Sequence, residues 1–271
     1  MGSVPPVREP EILPPSGYTA PQPRRRPRWA VAPATYFLIA VNCLWFLFMV
    51  LHGVSAISPT SQQLMNYGAD NAGHVLIYGQ WGRIVTAMFV HVGIIHLATN
   101  MWCLWNLGLL AEPLMGSFGV LAVYILTGAA GNLLSTLINW FRFSAEGAFP
   151  VCAGASGAVF GIAGALIVLL KSKRLPAPPE ELHKLRRSVI YFAAINLLIG
   201  FSVSATSGLT GIDIDNMAHL GGFSCGLLFA MPMVPRLGSP RPEFHSRLRV
   251  AVSMVIGALI LFGFFITRVT G

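Results

Sequence analysis

The sequence predicts an all-α, polytopic membrane protein, and three observations carry that expectation. Hydrophobic residues make up 54% of the 271 and charged residues only 10%, against about 25% charged in a typical soluble domain. Mean hydropathy is +0.65. Apolar stretches recur at roughly 34–54, 92–110, 117–138, 155–170, 188–204, 216–233 and 250–267, which predicts seven helices. Finally, the charges segregate. If the N-terminus is cytoplasmic and the helices alternate, fifteen Lys and Arg residues fall inside and only Arg83, Arg142 and Arg268 fall outside, the asymmetry that orients helices in a bilayer.

Each element follows from local composition. Residues 1–33 hold nine of the prolines and the run Arg24-Arg25-Arg26-Pro27-Arg28, the signature of a disordered cytoplasmic tail whose basic end anchors the first helix. A cleaved signal peptide competes, but Tyr36 to Val54 exceeds a usual signal core and no small-x-small cleavage site follows, which favours a retained helix. Segment 55–91 is too polar to span, yet its Tyr67, Tyr78 and Trp81 suit the membrane interface. Several apolar stretches are shorter than the roughly 20 residues of a lone span, as a bundle that thins the bilayer tolerates. Segments 171–187 and 234–249 carry Pro and charge and are expected as cytoplasmic loops. The four cysteines follow no metal spacing, and a small buried apolar role is expected for them. Net charge +8 would suit nucleic acid, but its placement is topological and nothing else supports that reading.

The informative residues are the polar ones in apolar stretches, where an ionisable or nucleophilic group is by default a functional candidate. Three groups qualify. Gly154-Ala155-Ser156-Gly157 opens the fourth stretch. As a bare string it fits close packing and a capping Ser as readily as an accessible nucleophile. Ala218-His219 heads the sixth stretch, with Gly222 and Gly226 on the histidine's face. A buried His bonded to a backbone carbonyl is one account; a neutral imidazole activating a serine hydroxyl is the other. His96 and Asn100 lie at i, i+4 on one face. They are either an interhelical hydrogen bond worth about 1 kcal/mol or donors to a developing oxyanion, worth about 3–4 kcal/mol. With the N-terminus inside, the second, fourth and sixth helices begin at the outer face, and all four side chains fall ~3–12 Å below it. Independent capping roles do not require one shared depth.

These residues resemble the rhomboid intramembrane proteases. The matching elements, in family order over about 80–230, are W-x-R (Trp81, Arg83), H-x4-H-x3-N (His91, His96, Asn100), E-x3-G (Glu112, Gly116), GxSG (Gly154, Ser156, Gly157) and A-H-x2-G-x3-G (Ala218, His219, Gly222, Gly226). The resemblance implies a six-helix catalytic core over 34–233, with 234–271 as a basic cytoplasmic loop and a seventh transmembrane helix. It implies a Ser156–His219 dyad with no third acidic member, and an oxyanion hole made by His96, Asn100 and the Ser156 N–H. Phe160 would stack on the histidine, Trp81 and Arg83 would shape the interfacial loop, and Glu112 would belong to a structural turn. The expected function is serine endopeptidase action on transmembrane segments of other membrane proteins, near the outer face of a bacterial cytoplasmic membrane. It needs no cofactor, metal or nucleic acid. A catalytically inactive rhomboid-like binding or quality-control factor is the nearest alternative. Transporter and metalloprotease readings lack repeats, intramembrane carboxylates and HExxH.

Overall fold

In the computed structural model, residues 32–143, 149–172, 175, 177–205, 215–236 and 241–270 are described. The expected cytoplasmic tail lies outside them. The architecture is helical: α1 (Pro33–Leu51), short α2 (Ser61–Asn66), α3 (Ala72–Leu76) and α4 (Arg83–Thr86), then a 3-10 turn (Ala87–Phe89) and the long α5 (Ile94–Phe143). The chain continues through α6 (Ser156–Leu169), α7 (Pro179–Ala205), α8 (Asn216–Ala230), a second 3-10 turn (Met231–Arg236) and α9 (Arg241–Thr270). Helices at Pro33–Leu51, Ile94–Phe143, Asn216–Val234 and Pro242–Thr270 are long and apolar enough to cross a membrane. No strand occurs among the described residues; Asp70 and Cys152 form one isolated antiparallel bridge.

Three boundaries differ from the sequence expectation. The second and third apolar stretches form one continuous element, α5, broken at Gly116 (φ 74, ψ 167). Its φ is reachable without strain only by glycine, so two helical runs join there across a kink with no loop. Residues 179–187, expected as loop, already belong to α7: Pro179 starts it and Glu180 and Glu181 fill its first turn, the arrangement a helix N-terminus favours. Likewise α9 begins at Arg241, inside the expected loop 234–249. The cysteines also depart from expectation, since only Cys225 is buried while Cys43 is exposed on α1.

The core sits on α6, where Gly157 through Leu166 is continuously buried between α5 and α8. Small residues make this possible. A Cβ on Gly222 would overlap Gly157 O, one on Gly226 would overlap Gly161 O, and one on Gly164 would overlap Phe223 O. The backbones of α6 and α8 therefore touch directly along three successive turns, the close approach that small-xxx-small faces allow. On α5, Gly131 meets Ala218 O in the same manner, so the first turn of α8 is gripped from two sides.

One polar clamp ties α1 to the α5 kink. The Glu112 carboxylate, 3% exposed, accepts from Ala34 N–H (2.8 Å), Thr35 N–H (2.8 Å), Thr35 Oγ1 (2.7 Å) and Ser117 Oγ (2.6 Å). Two of those donors are amides at the start of α1 that have no intrahelical acceptor. The acid expected in a structural turn thus caps a helix some 80 residues away.

Candidate active site

The structure brings the three sequence groups to one end of the bundle. Ser156 is the first residue of α6, and the residue before it, Ala155, makes no side-chain cap. Ser156 does not cap its helix either: its half-buried hydroxyl makes no hydrogen bond among the described residues. His219 lies in the first turn of α8 and is 6% exposed. The α6–α8 seam fixes their relation. Gly157, next to Ser156, faces Ala218 O, next to His219, with room for a Cβ only 3.2 Å from that oxygen.

The imidazole of His219 is held by packing. Phe160, one turn after Ser156, stacks on it with ring centroids 4.3 Å apart and planes at 12°. His219 Nδ1 is buried with no hydrogen-bond partner, so no carboxylate orients the ring among the described residues. Asp215 lies one turn earlier, but its carboxylate is committed elsewhere. It caps α8 by accepting from Ala218 N–H at 2.9 Å and accepts from Ser135 Oγ at 2.5 Å.

His96 borders the same spot. Its Nδ1 accepts from the Val92 N–H at 3.2 Å, which assigns the remaining proton to Nε2 in the neutral ring. That edge of the ring lies against Gly154: a Cβ there would be 2.7 Å from Cε1 and 3.0 Å from Nε2. Gly154 also has φ +131, so conformation and space both demand glycine. Asn100 lies one turn below His96, and its amide nitrogen donates back to His96 O at 2.9 Å. One of its two amide N–H groups is thus used within α5, and the second is not.

Further contacts, whose partners the motifs do not announce, hold the approach to Ser156. His91 uses both ring nitrogens: Nδ1 donates to Phe89 O (3.3 Å) and Nε2 accepts from Ala155 N–H (3.5 Å). Burial, then the neighbouring His96, push its pKa down to about 3, which keeps it neutral and able to hold the residue before Ser156. Gly154 N–H donates to Ala87 O at 2.9 Å. The segment leading to Ser156 is pinned further back by paired backbone bonds between Asp70 and Cys152 (2.8 and 2.9 Å) and by Asn71 Nδ2 on Phe149 O (2.8 Å). Asp70 is 1% exposed. One of its carboxylate oxygens accepts from Thr136 Oγ1 at 2.9 Å, and the other has no partner. Burial drives its pKa up to about 7. His91 was visible as the first histidine of its motif. The Asp70–Cys152 pairing spans 82 positions and leaves no local signature.

The remaining predicted residues support the scaffold. Arg83 donates to Met65 O (2.8 Å) and Ala69 O (2.7 Å) and to Gln80 Oε1 (2.6 Å), and so ties the interfacial segment together. Trp81 packs with Val75, Ile84 and the Leu133–Leu137 face of α5. Gly222 and Gly226 form the seam. No group of three or more His, Cys, Asp or Glu able to hold a metal occurs among the described residues.

Fold and site together define a multi-pass membrane protein with a serine, a stacked histidine and imidazole donors at one end of a glycine-sealed helix bundle. The chain belongs to the rhomboid family: residues 78–236 match the Rhomboid domain. It is 34% identical over 222 residues to the rhomboid protease GluP of Bacillus subtilis, covering 82% of this chain and 38% of that one. It is 26% identical over 209 residues to the rhomboid protease AarA of Providencia stuartii, with 74% and 72% covered. RHOMBOID-like protein 1 of Arabidopsis thaliana is 29% identical over 191 residues, with 70% and 44% covered. The chain thus spans well under half the length of GluP, and three quarters of AarA at most.

Proposed function

We propose that this chain is an intramembrane serine endopeptidase with Ser156 as nucleophile and His219 as general base. The observation that carries the reading is the α6–α8 seam, which presses the turn bearing Ser156 against the turn bearing His219 with Phe160 on the imidazole face. Ser156 Oγ attacks the carbonyl carbon of a substrate peptide bond while His219 takes the hydroxyl proton, since a serine hydroxyl is too weak an acid to react unaided. The developing negative charge on the substrate oxygen is met by the Ser156 N–H, which has no intrahelical acceptor at the first position of a helix, and by His96 Nε2–H. Asn100 contributes its second N–H. The protonated His219 then gives its proton to the leaving amine, and water hydrolyses the acyl-enzyme by the same route in reverse. Parallel stacking of Phe160 favours the imidazolium through a cation–π contact worth about 1–2 kcal/mol when desolvated, which substitutes in part for a third acidic member.

By this reading the substrate is a transmembrane segment of another protein. It must unwind locally, because a helical carbonyl is hydrogen-bonded and shielded. By the charge asymmetry, the site opens to the outer side. One observation favours an inactive binding or quality-control role: Ser156 and His219 share no hydrogen bond in this structure. Catalytic hydrogen bonds are often long before substrate binds, and that weighs less than the seam. The test is labelling of the purified protein by a serine-directed fluorophosphonate. Wild type is expected to label and Ser156→Ala and His219→Ala to lose the label while remaining folded. Undiminished labelling of Ser156→Ala overturns the assignment.

A further inference from the structure

At the opposite end of α6 from Ser156, about 20 Å along the helix at 1.5 Å per residue, lies a cavity of about 340 Å³. Its walls come from the end of α6, the following loop and the first two turns of α7. Pro179, Leu182, His183 and Arg186 line it, and the spacing i, i+3, i+4, i+7 is one face of a helix. Glu180 and Glu181 fall on the other faces, so α7 presents the cavity with donors and no carboxylate. Lys171 supplies a second cation from the other wall. Neither Lys171 nor Arg186 forms an ion pair or a side-chain hydrogen bond among the described residues, although Arg186 is half-buried.

The backbone agrees in sign. The positive end of the α7 dipole opens toward the cavity. At the end of α6, the carbonyls of Leu166, Val168 and Leu169 accept from the N–H groups of Leu170, Lys171 and Ser172. The rest of the lining is apolar: Leu170, Leu175 and Leu182. Two cations, an imidazole and a helix N-terminus over a leucine floor match a ligand that joins a phosphate to a hydrocarbon. The size falls within the range of small-molecule sites.

We propose that this cavity binds the phosphate headgroup of an anionic phospholipid, with the upper part of an acyl chain on the leucine floor. Charge complementarity and the amphipathic lining select a lipid over a free anion, since inorganic phosphate gains nothing from Leu170, Leu175 or Leu182. Basic pockets between membrane helices on the positively charged side are suited to such headgroups. The proposal rests on the chemistry of this end of the bundle and stands whether or not Ser156 is a nucleophile.

The test uses the purified full chain in neutral detergent, titrated with phosphatidylglycerol, phosphatidylcholine or inorganic phosphate. Bound lipid is counted by native mass spectrometry and the melting temperature is followed in parallel. Phosphatidylglycerol is expected to bind stoichiometrically and raise the melting temperature, and the other two are not. The double variant Lys171→Gln/Arg186→Gln should bind it about tenfold or more weakly, as loss of charge-assisted hydrogen bonds predicts. Its unliganded melting temperature reports that it is folded, and Lys184→Gln, off the lining face, should bind like wild type. Equal binding of phosphatidylcholine, an equal response to inorganic phosphate, or undiminished binding by the double variant overturns the proposal.

Discussion

Replacing Gly222 by Ala tests whether the seam sets the geometry of the candidate dyad. An added Cβ would overlap Gly157 O and stand 2.8 Å from Gly157 C, where ordinary contact begins at 3.4 Å. Backbone, unlike a side-chain tip, has no rotamer to yield. Relieving the carbon contact alone takes about 0.6 Å and the oxygen takes more, so α8 must retreat from α6 by roughly 1 Å at that turn. His219 lies three residues away on the same helix and moves with it. A displacement of about 1 Å in a catalytic constellation costs on the order of 100-fold in rate, while overpacking costs about 1–3 kcal/mol of stability. The assay is initial rate of fluorophosphonate labelling, with the melting temperature in detergent alongside. Leu220→Ala is the control, because Leu220 is exposed on the same helix and should label at the wild-type rate. A Gly222→Ala variant that labels as fast as wild type would refute the claim that this contact places His219.

Three further outcomes follow from named contacts. Glu112→Gln removes the charge and presents an NH₂ group to donors that the carboxylate now accepts from; a loss of about 3–5 kcal/mol is expected in chemical unfolding, and a change under about 1 kcal/mol would contradict the clamp. Phe160→Leu should fold, yet label about tenfold more slowly through loss of the cation–π contact, and an unchanged rate would remove that role from Phe160. Asp70 carries a pKa raised to about 7 from 3.8, so the folded state retains its proton where the unfolded state has lost it. Stability on its account is therefore greatest at low pH and falls as pH rises from about 4 to about 7, by up to about 4 kcal/mol. Asp70→Asn, which does not ionise, should flatten the fall in melting temperature between pH 5 and pH 8; parallel slopes for the two proteins would refute it.

Much of the fold was legible because lipid imposes simple rules on composition. The apolar stretches located most of the helices, and the family elements singled out Ser156, His219, His96 and Asn100. What escaped was non-local or ambiguous. Pro179, Glu180 and Glu181 read as loop residues by polarity, although Pro followed by acids is equally a helix start. Gly116 could have marked a loop or a kink, and only its φ decides. Thr136 and Cys152, which bond Asp70, and Ala34 and Thr35, which bond Glu112, lie some 66 to 82 positions away, beyond any local pattern. Asn100 has a helix-internal acceptor in His96 O that its type and spacing do not announce.

The glycine seam has a thermodynamic consequence of its own. Burying long side chains freezes rotamers at up to about 2 kcal/mol each, whereas glycine and alanine give up none. Docking α8 on α6 through Gly157, Gly161, Gly222 and Gly226 therefore forfeits almost no side-chain entropy at the contact. It also leaves no alternative packing, since a slip of one residue would drive a Cβ into a carbonyl. The two helices either seat in a single register or separate, with nothing between. Heating should accordingly leave the labelling-competent fraction constant per folded molecule and then abolish it in one step, rather than erode it gradually below the melting transition.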